Sequence, residues 1–256
     1  MFLLTNDDGI YAKGLSALYE ELSHDAECLI VAPEIEQSAV GHAVTIFRPL
    51  MVRRATKNNN FLGYAVYGTP ADCVKIGVKE LAQKPVGLVI SGINRGSNAG
   101  INIIYSGTVS AATEAAIMGI PSLAISLDTH KEADFTYAAK FARKMVKLIL
   151  ENPILRGSAI NVNVPCLPAE EIKGVVVVKQ GKDNIIEAFE KRVDPRENIY
   201  YWVSGEYKST AEKTATDVNA LASGFITITP IQYDLTRYDL LDYLQKTVSQ
   251  SHLCKV

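Results

Sequence analysis

Cysteine is scarce in this chain. Only four occur in 256 residues, Cys28, Cys73, Cys166 and Cys254, widely separated and with no CxxC pair. That spacing argues against a structural zinc site or a disulfide framework and reads as reduced thiols. Long apolar runs are also missing, since nothing approaches the roughly 18 consecutive apolar residues of a membrane span. The opening run Phe2–Leu4 has no positive flank and meets two carboxylates at once. A secretory leader is therefore not expected, and the expected setting is cytoplasmic and away from membranes. An excess of one charge is absent too: 26 Lys and Arg face 28 Asp and Glu, for a net charge of -2. A protein that binds nucleic-acid duplexes would usually be basic or carry a basic stripe, so no such partner is expected.

Several signatures are absent as well. There is no GxxxxGK[ST], which sets aside a P-loop NTPase, and no HExxH or GxSxG. The glycines at 92, 96 and 100 do not make GxGxxG and follow a middle strand, so a dinucleotide-binding reading is weak. A phosphatase with an Asp nucleophile in a DxD arrangement needs a spacer between its carboxylates, whereas Asp7 and Asp8 are adjacent. A phospho-accepting signalling domain would want a further Asp after a middle strand, where this chain has Asn94.

What is present is an alternation of short apolar runs and helical patterns in a chain that is 48% hydrophobic. Phe2–Thr5 reads as a strand, and Leu15, Leu18, Tyr19 and Leu22 follow at helical spacing. Cys28–Ala32 is a second strand, stopped by Pro33. Thr69-Pro70 reads as a helix start, with Thr at the cap and Pro at the first position. Val86–Ser91, Ser122–Leu127 and Ala159–Val164 read as buried strands, with helices over Thr108–Met118 and Phe135–Leu150. The pattern predicts an α/β fold, a Rossmann-like three-layer sandwich with a mainly parallel sheet. Beyond about Lys173 the chain turns β-rich, with strands expected at Gly174–Lys179, Ile199–Val203 and Phe225–Thr229 and a terminal helix at Tyr238–Val248. We expect a single domain over residues 1–256, with a core to about 173 and a β-hairpin arm and terminal helix after it.

Open parallel sheets bind ligands beyond the carboxyl ends of their strands. Three polar clusters fall there: Asn6-Asp7-Asp8-Gly9, Glu34–Ser38 and Gly92-Ile93-Asn94. Adjacent carboxylates repel unless a proton or cation intervenes, and Mg²⁺ or Mn²⁺ would neutralise them through oxygen ligands. The alternative is a turn in which one Asp caps the next helix. Ser38 and Asn94 offer neutral oxygens suited to such a cation, or else are loop and turn residues. Tyr105-Ser106-Gly107-Thr108 introduces an Ala-rich helix whose amino terminus can cradle phosphate, or is simply capped there. The Gly- and Asn-rich segment before it adds Asn98 as a phosphate donor. Of the histidines, His42 is placed to support Ser38 and His130 reads as a loop residue near the crevice. His24 and His252 read as surface or tail residues.

Together these motifs resemble the SurE (survival protein E) nucleotidases. The stretches that carry the resemblance are Thr5–Ile10 (TNDDGI), Gly68–Val74 (GTPADCV), Ser91–Ala112 (SGINRGSNAGINIIYSGTVSAA), Asn161–Pro165 (NVNVP), Asp194–Gly205 (DPRENIYYWVSG) and Thr216–Thr236 (TDVNALASGFITITPIQYDLT). The resemblance implies one divalent metal, Mg²⁺ or Mn²⁺, on Asp7, Asp8, Ser38 and Asn94, with the Asp pair catalytic. It implies phosphate held by Asn98, Ser106, Gly107 and Thr108, and hydrolysis of 5′- and 3′-nucleoside monophosphates. It further implies a homodimer or homotetramer that exchanges carboxyl-terminal arms. The chain departs from the family at Ala39 and Glu197, where Gly is usual, at Gln37, where Arg is frequent, and at Ala215, where Gly often precedes Thr216-Asp217. Two other readings use the same residues: a phosphatase for a non-nucleotide ester, and a non-catalytic nucleotide-binding or signalling module.

Overall fold

Alternating apolar residues on each central strand point to opposite faces, and both faces are covered. Phe2 and Leu4 of β1 (Phe2–Thr5) join one apolar cluster while Leu3 joins another. The computed structural model describes residues 1–155, 157–182, 184–208 and 216–251, with side-chain surroundings outside 184–187 and 205–208. Ala215, His252 and Cys254 lie outside the described residues.

After β1 come α1 (Lys13–Leu22), β2 (Cys28–Pro33), β3 (Val52–Lys57), β4 (Asn60–Val66) and α2 (Pro70–Ile76). The middle of the chain forms β5 (Leu88–Arg95), α3 (Asn102–Tyr105), α4 (Gly107–Ile117), β6 (Ser122–Asp128), α5 (Thr136–Glu151) and β7 (Ala159–Pro165). The last part forms β8 (Val175–Val177), β9 (Asn184–Val193), β10 (Ile199–Lys208), α6 (Asp217–Ala222), β11 (Ile226–Ile231) and α7 (Leu241–Gln250).

A nine-stranded sheet runs in the order β3-β4-β2-β1-β5-β6-β7-β11-β8. Its centre is parallel throughout from β4 to β7, and antiparallel pairs occur at β3–β4 and β7–β11. Leu15, Leu18 and Leu22 of α1 pack with Phe141, Met145 and Val146 of α5 over one face. Helices α2 and α4 cover the other, around Cys73, Val74, Ala111 and Ala115. The mainly parallel three-layer α/β architecture expected from the sequence is the one observed.

The local signals have clear outcomes. Thr69 caps α2 through a reciprocal bond with Asp72, and Pro70 opens the helix. Strands β3 and β4 were not anticipated. β3 is mostly exposed at the sheet edge, reading VRRATK, and lacks the apolar run that marked the buried strands. The stretch after residue 173 divides: β8 and β11 complete the main sheet, with α6 preceding β11, whereas among the described residues β9 and β10 pair only with each other. Strand β5 runs on to Arg95, past the expected stop at Ser91, through an irregularity between Ser91 and Asn94.

Helix α1 lies close enough to β5 that Gly14 has no room for a side chain. A Cβ there would sit 2.0 Å from the Ile93 carbonyl oxygen. Gly14→Ala should gain about 1 kcal/mol of helix propensity but lose about 1–3 kcal/mol to overpacking. The clash with fixed backbone should prevail, and the urea midpoint should fall.

Candidate metal and phosphate site

The strand ends bring most of the candidates together. Asp7 leaves β1 almost fully buried, 6% exposed. Its Oδ2 accepts the Thr108 N–H at 3.0 Å, and its Oδ1 accepts the Thr108 hydroxyl. The approach depends on Gly107, where a Cβ would lie 2.8 Å from Asp7 Cβ. Neither carboxylate caps α1, whose N-cap is Ala12 with no side-chain bond. The pair is therefore not spent on capping the helix that follows it; Asp7 instead meets the amino terminus of α4.

Asp8 is half-buried, and its Oδ2 accepts the Arg95 N–H at 3.2 Å, which ties it to the end of β5 beside Asn94. Asn94 donates from Nδ2 to the Gly96 carbonyl at 2.7 Å. That turn-like bond leaves the amide oxygen as the atom suited to a cation. Ser38 sits on an exposed loop and donates to Glu36 Oε1 at 2.6 Å. Its neighbour Gln37 donates its N–H to the Asp7 carbonyl at 2.8 Å, which docks that loop onto the Asp pair.

Electrostatics set the two acids apart from ordinary surface carboxylates. Burial holds the Asp7 carboxyl above its usual value, against the lowering effect of Thr108. Burial first, and then the charge of Asp7, push Asp8 up to about 6. Glu36 raises both in the same direction. A hard cation would relieve this concentration of negative charge. Among the described residues no three His, Cys, Asp or Glu side chains are grouped to hold a metal. The donor set here is instead two carboxylates supplemented by neutral oxygens, which suits Mg²⁺ or Mn²⁺ more than a His- or Cys-bound ion.

On the phosphate side, Ser106 is buried and caps α4, its Oγ accepting the Val109 N–H at 3.1 Å. The capping alternative is thus observed, and it leaves the hydroxyl proton of Ser106 available to a ligand. The Gly107 N–H has no intrahelical partner. Asn98 is buried, and the bonds that hold it run to β6 and β7 rather than to the Asp pair.

Several supporting residues were not singled out in the sequence. Asn161 and Asn163 are spaced to share one face of β7, and both bind the backbone of Asn98. Two asparagines alternating within an apolar strand were the available signal. Asp217 and Gln180 bind Gly100, a link no local pattern foretells. His42 pairs through Nε2 with Glu114 Oε2 at 2.8 Å, and Lys75 donates to Oε1 at 3.0 Å. These bonds hold Glu114 below the usual carboxylate range against its burial, His42 contributing most. They tie the Ser38 loop to α4. His130 lies beside Gly96, near enough that a Cβ there would come within 3.6 Å of its ring.

The departures at Ala39 and Glu197 share a backbone feature. Both adopt left-handed conformations, with φ of 56° and 64°. Glycine takes that conformation without steric cost, whereas a Cβ costs about 1–2 kcal/mol.

Comparison with known proteins shows what the chain as a whole is similar to. The model of the family described as Survival protein SurE matches residues 2–187. A protein of Syntrophus aciditrophicus (strain SB) named 5′-nucleotidase SurE is 63% identical over 250 residues, covering 97% of this chain and 94% of that protein. One of the same name from Syntrophobacter fumaroxidans is 49% identical over 244 residues, covering 95% of this chain and 98% of its own length. Among solved structures, the SurE protein from Aquifex aeolicus matches with a TM-score of 0.83 at 40% identity, over 96% of this chain and 98% of that one. Motifs, topology and near-full-length identity agree, and the chain belongs to the SurE family.

Proposed function

We propose that this protein is a metal-dependent phosphomonoesterase that hydrolyses nucleoside 5′-monophosphates, and 3′-monophosphates, to nucleoside and phosphate. The observation that carries the reading is the buried contact between Asp7 and Thr108, which sets an acidic pair against the amino terminus of α4. Relatives named 5′-nucleotidase support catalysis over a non-catalytic nucleotide-binding or signalling module.

Asp7, Asp8, Ser38 and Asn94 would hold one Mg²⁺ or Mn²⁺ ion. When bound, such an ion supplies Lewis-acid polarisation of the phosphate and neutralises the acidic pair. The Ser106 hydroxyl, the Gly107 N–H and Asn98 hold the phosphoryl oxygens, aided by the positive end of α4, while Thr108, whose N–H and hydroxyl both go to Asp7, fixes that helix end against the acidic pair. Water attacks phosphorus directly as the bond to the nucleoside oxygen breaks. Asp8, the more exposed of the pair, takes the water proton, and the departing oxygen is protonated from solvent. Asp7, with both oxygens engaged by Thr108, keeps the acidic pair in register with the helix.

We further propose a homodimer or homotetramer in a cytoplasmic setting. Tyr200, Tyr201, Trp202 and Val203 on β10, and Leu241, Tyr243 and Leu244 on α7, are exposed and would be covered by exchanged arms. The free cysteines Cys28, Cys73 and Cys166 suit a reducing compartment. No helix among the described residues is long and apolar enough to cross a membrane.

Phosphate release from AMP, GMP and an aryl phosphate, with Mn²⁺ and with EDTA, tests the reading. Release should require metal and favour the nucleotides; release from the aryl ester alone would move the substrate elsewhere. Asp7→Asn should lower kcat by at least about 100-fold, the several kcal/mol expected for lost metal chemistry. An active variant would sink the metal assignment.

Gly107→Ala should push α4 off Asp7 and cost about 100-fold in rate, as misplacements of about 1 Å do. Circular dichroism should show the fold retained.

The acidic pair also predicts a pH effect on the metal-free protein. Folded Asp8 keeps its proton to about pH 6, against an ordinary value of 3.8. The folded state thus binds more protons between those values, and stability falls as pH rises through that window. Urea midpoints should drop from about pH 4 to about pH 6, Asp8→Asn should flatten the trend, and Mn²⁺ at neutral pH should restore stability.

A further inference from the structure

We infer that Asp217 is a positioning residue for phosphate binding: from α6 it fixes the loop that presents Asn98. The inference rests on the reading of Asn98 as a phosphate donor. Residues 96–100 lie between two glycines in left-handed conformations, with φ of 110° at Gly96 and 58° at Gly100. Glycines leave such a segment many conformations, so its geometry has to be imposed from outside. Both backbone groups of Asn98 are taken: its N–H goes to Asn163 Oδ1 at 2.7 Å, and its carbonyl accepts Asn161 Nδ2 at 2.8 Å and Asn163 Nδ2 at 3.2 Å. One side-chain N–H goes to Ser126 Oγ at 2.8 Å. The second N–H is the one left for a phosphate oxygen.

Those bonds come from β6 and β7, on one side of the loop. The other side is held by the chain beyond residue 173. Asp217 is fully buried. Its Oδ2 accepts the Gly100 N–H at 2.9 Å, while Oδ1 accepts the Gly181 N–H at 2.7 Å and the Val218 N–H at 2.8 Å. Gln180 donates from Nε2 to the Gly100 carbonyl at 2.8 Å, and Val218 and Leu221 pack on Ala99. Two oxygens facing separate N–H donors require a carboxylate, because an amide would turn a donor toward one of them. The proposed metal ligands, just after β1, on β5 and in the loop after β2, receive none of these bonds.

The test is calorimetric titration of the full-length protein with Mn²⁺, and then with inorganic phosphate in saturating Mn²⁺, for Asp217→Asn, Asn98→Ala and the double variant. Asp217→Asn should weaken phosphate at least about 10-fold, the effect typical of residues that orient ligand-binding groups, and leave Mn²⁺ affinity unchanged. In the Asn98→Ala background the same change should add little, because both act through one group. Gln180→Ala, which removes a less buried bond to Gly100, should show the same pattern more weakly and carries the test if Asp217→Asn does not fold. Equal losses of Mn²⁺ and phosphate affinity, full additivity, or unchanged phosphate binding would each overturn the inference. Unchanged phosphate binding in Asn98→Ala alone would instead remove the reading of Asn98 on which it rests.

Discussion

A buried acid clasped by a helix terminus organises this molecule. Asp7 stands just beyond β1, next to the central strand of the sheet, accepting the backbone and side-chain donors of Thr108. Burial alone would disfavour its charge, and the α4 amino terminus offsets that through hydrogen bonds and the helix dipole. Gly107 permits the contact by presenting no side chain to it. One interaction thereby links the end of the first strand to the fourth helix, and with them the proposed metal ligands to the proposed phosphate cradle.

The remaining parts converge through polar bonds of long reach. The Ser38 loop is docked by the Gln37 N–H on Asp7 and tethered further along by His42 to Glu114. The Asn98 loop is held by asparagines of β7 on one side and by Asp217 on the other. Such bonds are worth more beneath a covered sheet than in water, because unpaired buried groups are costly. The C-terminal stretch is thus part of the candidate site's support, whereas the β9–β10 ribbon pairs outside the main sheet.

The core elements were legible because a parallel strand buried on both faces must be apolar at nearly every position. Leu88 to Ile90 and Leu123 to Ile125 show this directly. The candidate ligands were legible for a related reason, since polar residues directly after such strands stand out against them. Edge strand β3 escaped because an exposed strand need not follow that rule. Asp217 and Asn163 escaped as supports because their partners lie 117 and 65 residues away.

Taken by itself, the sequence determined the α/β class, the sheet centre, the position of the Asp pair and the family. These follow from apolar periodicity and from short motifs whose meaning is local. Only the tertiary structure decided that neither Asp caps α1, that Thr108 engages Asp7, and that Asp217 and Gln180 hold the loop of Asn98. The reason is physical: strand periodicity is written in neighbouring residues, whereas a hydrogen bond between distant segments exists only once the sheet has brought them together.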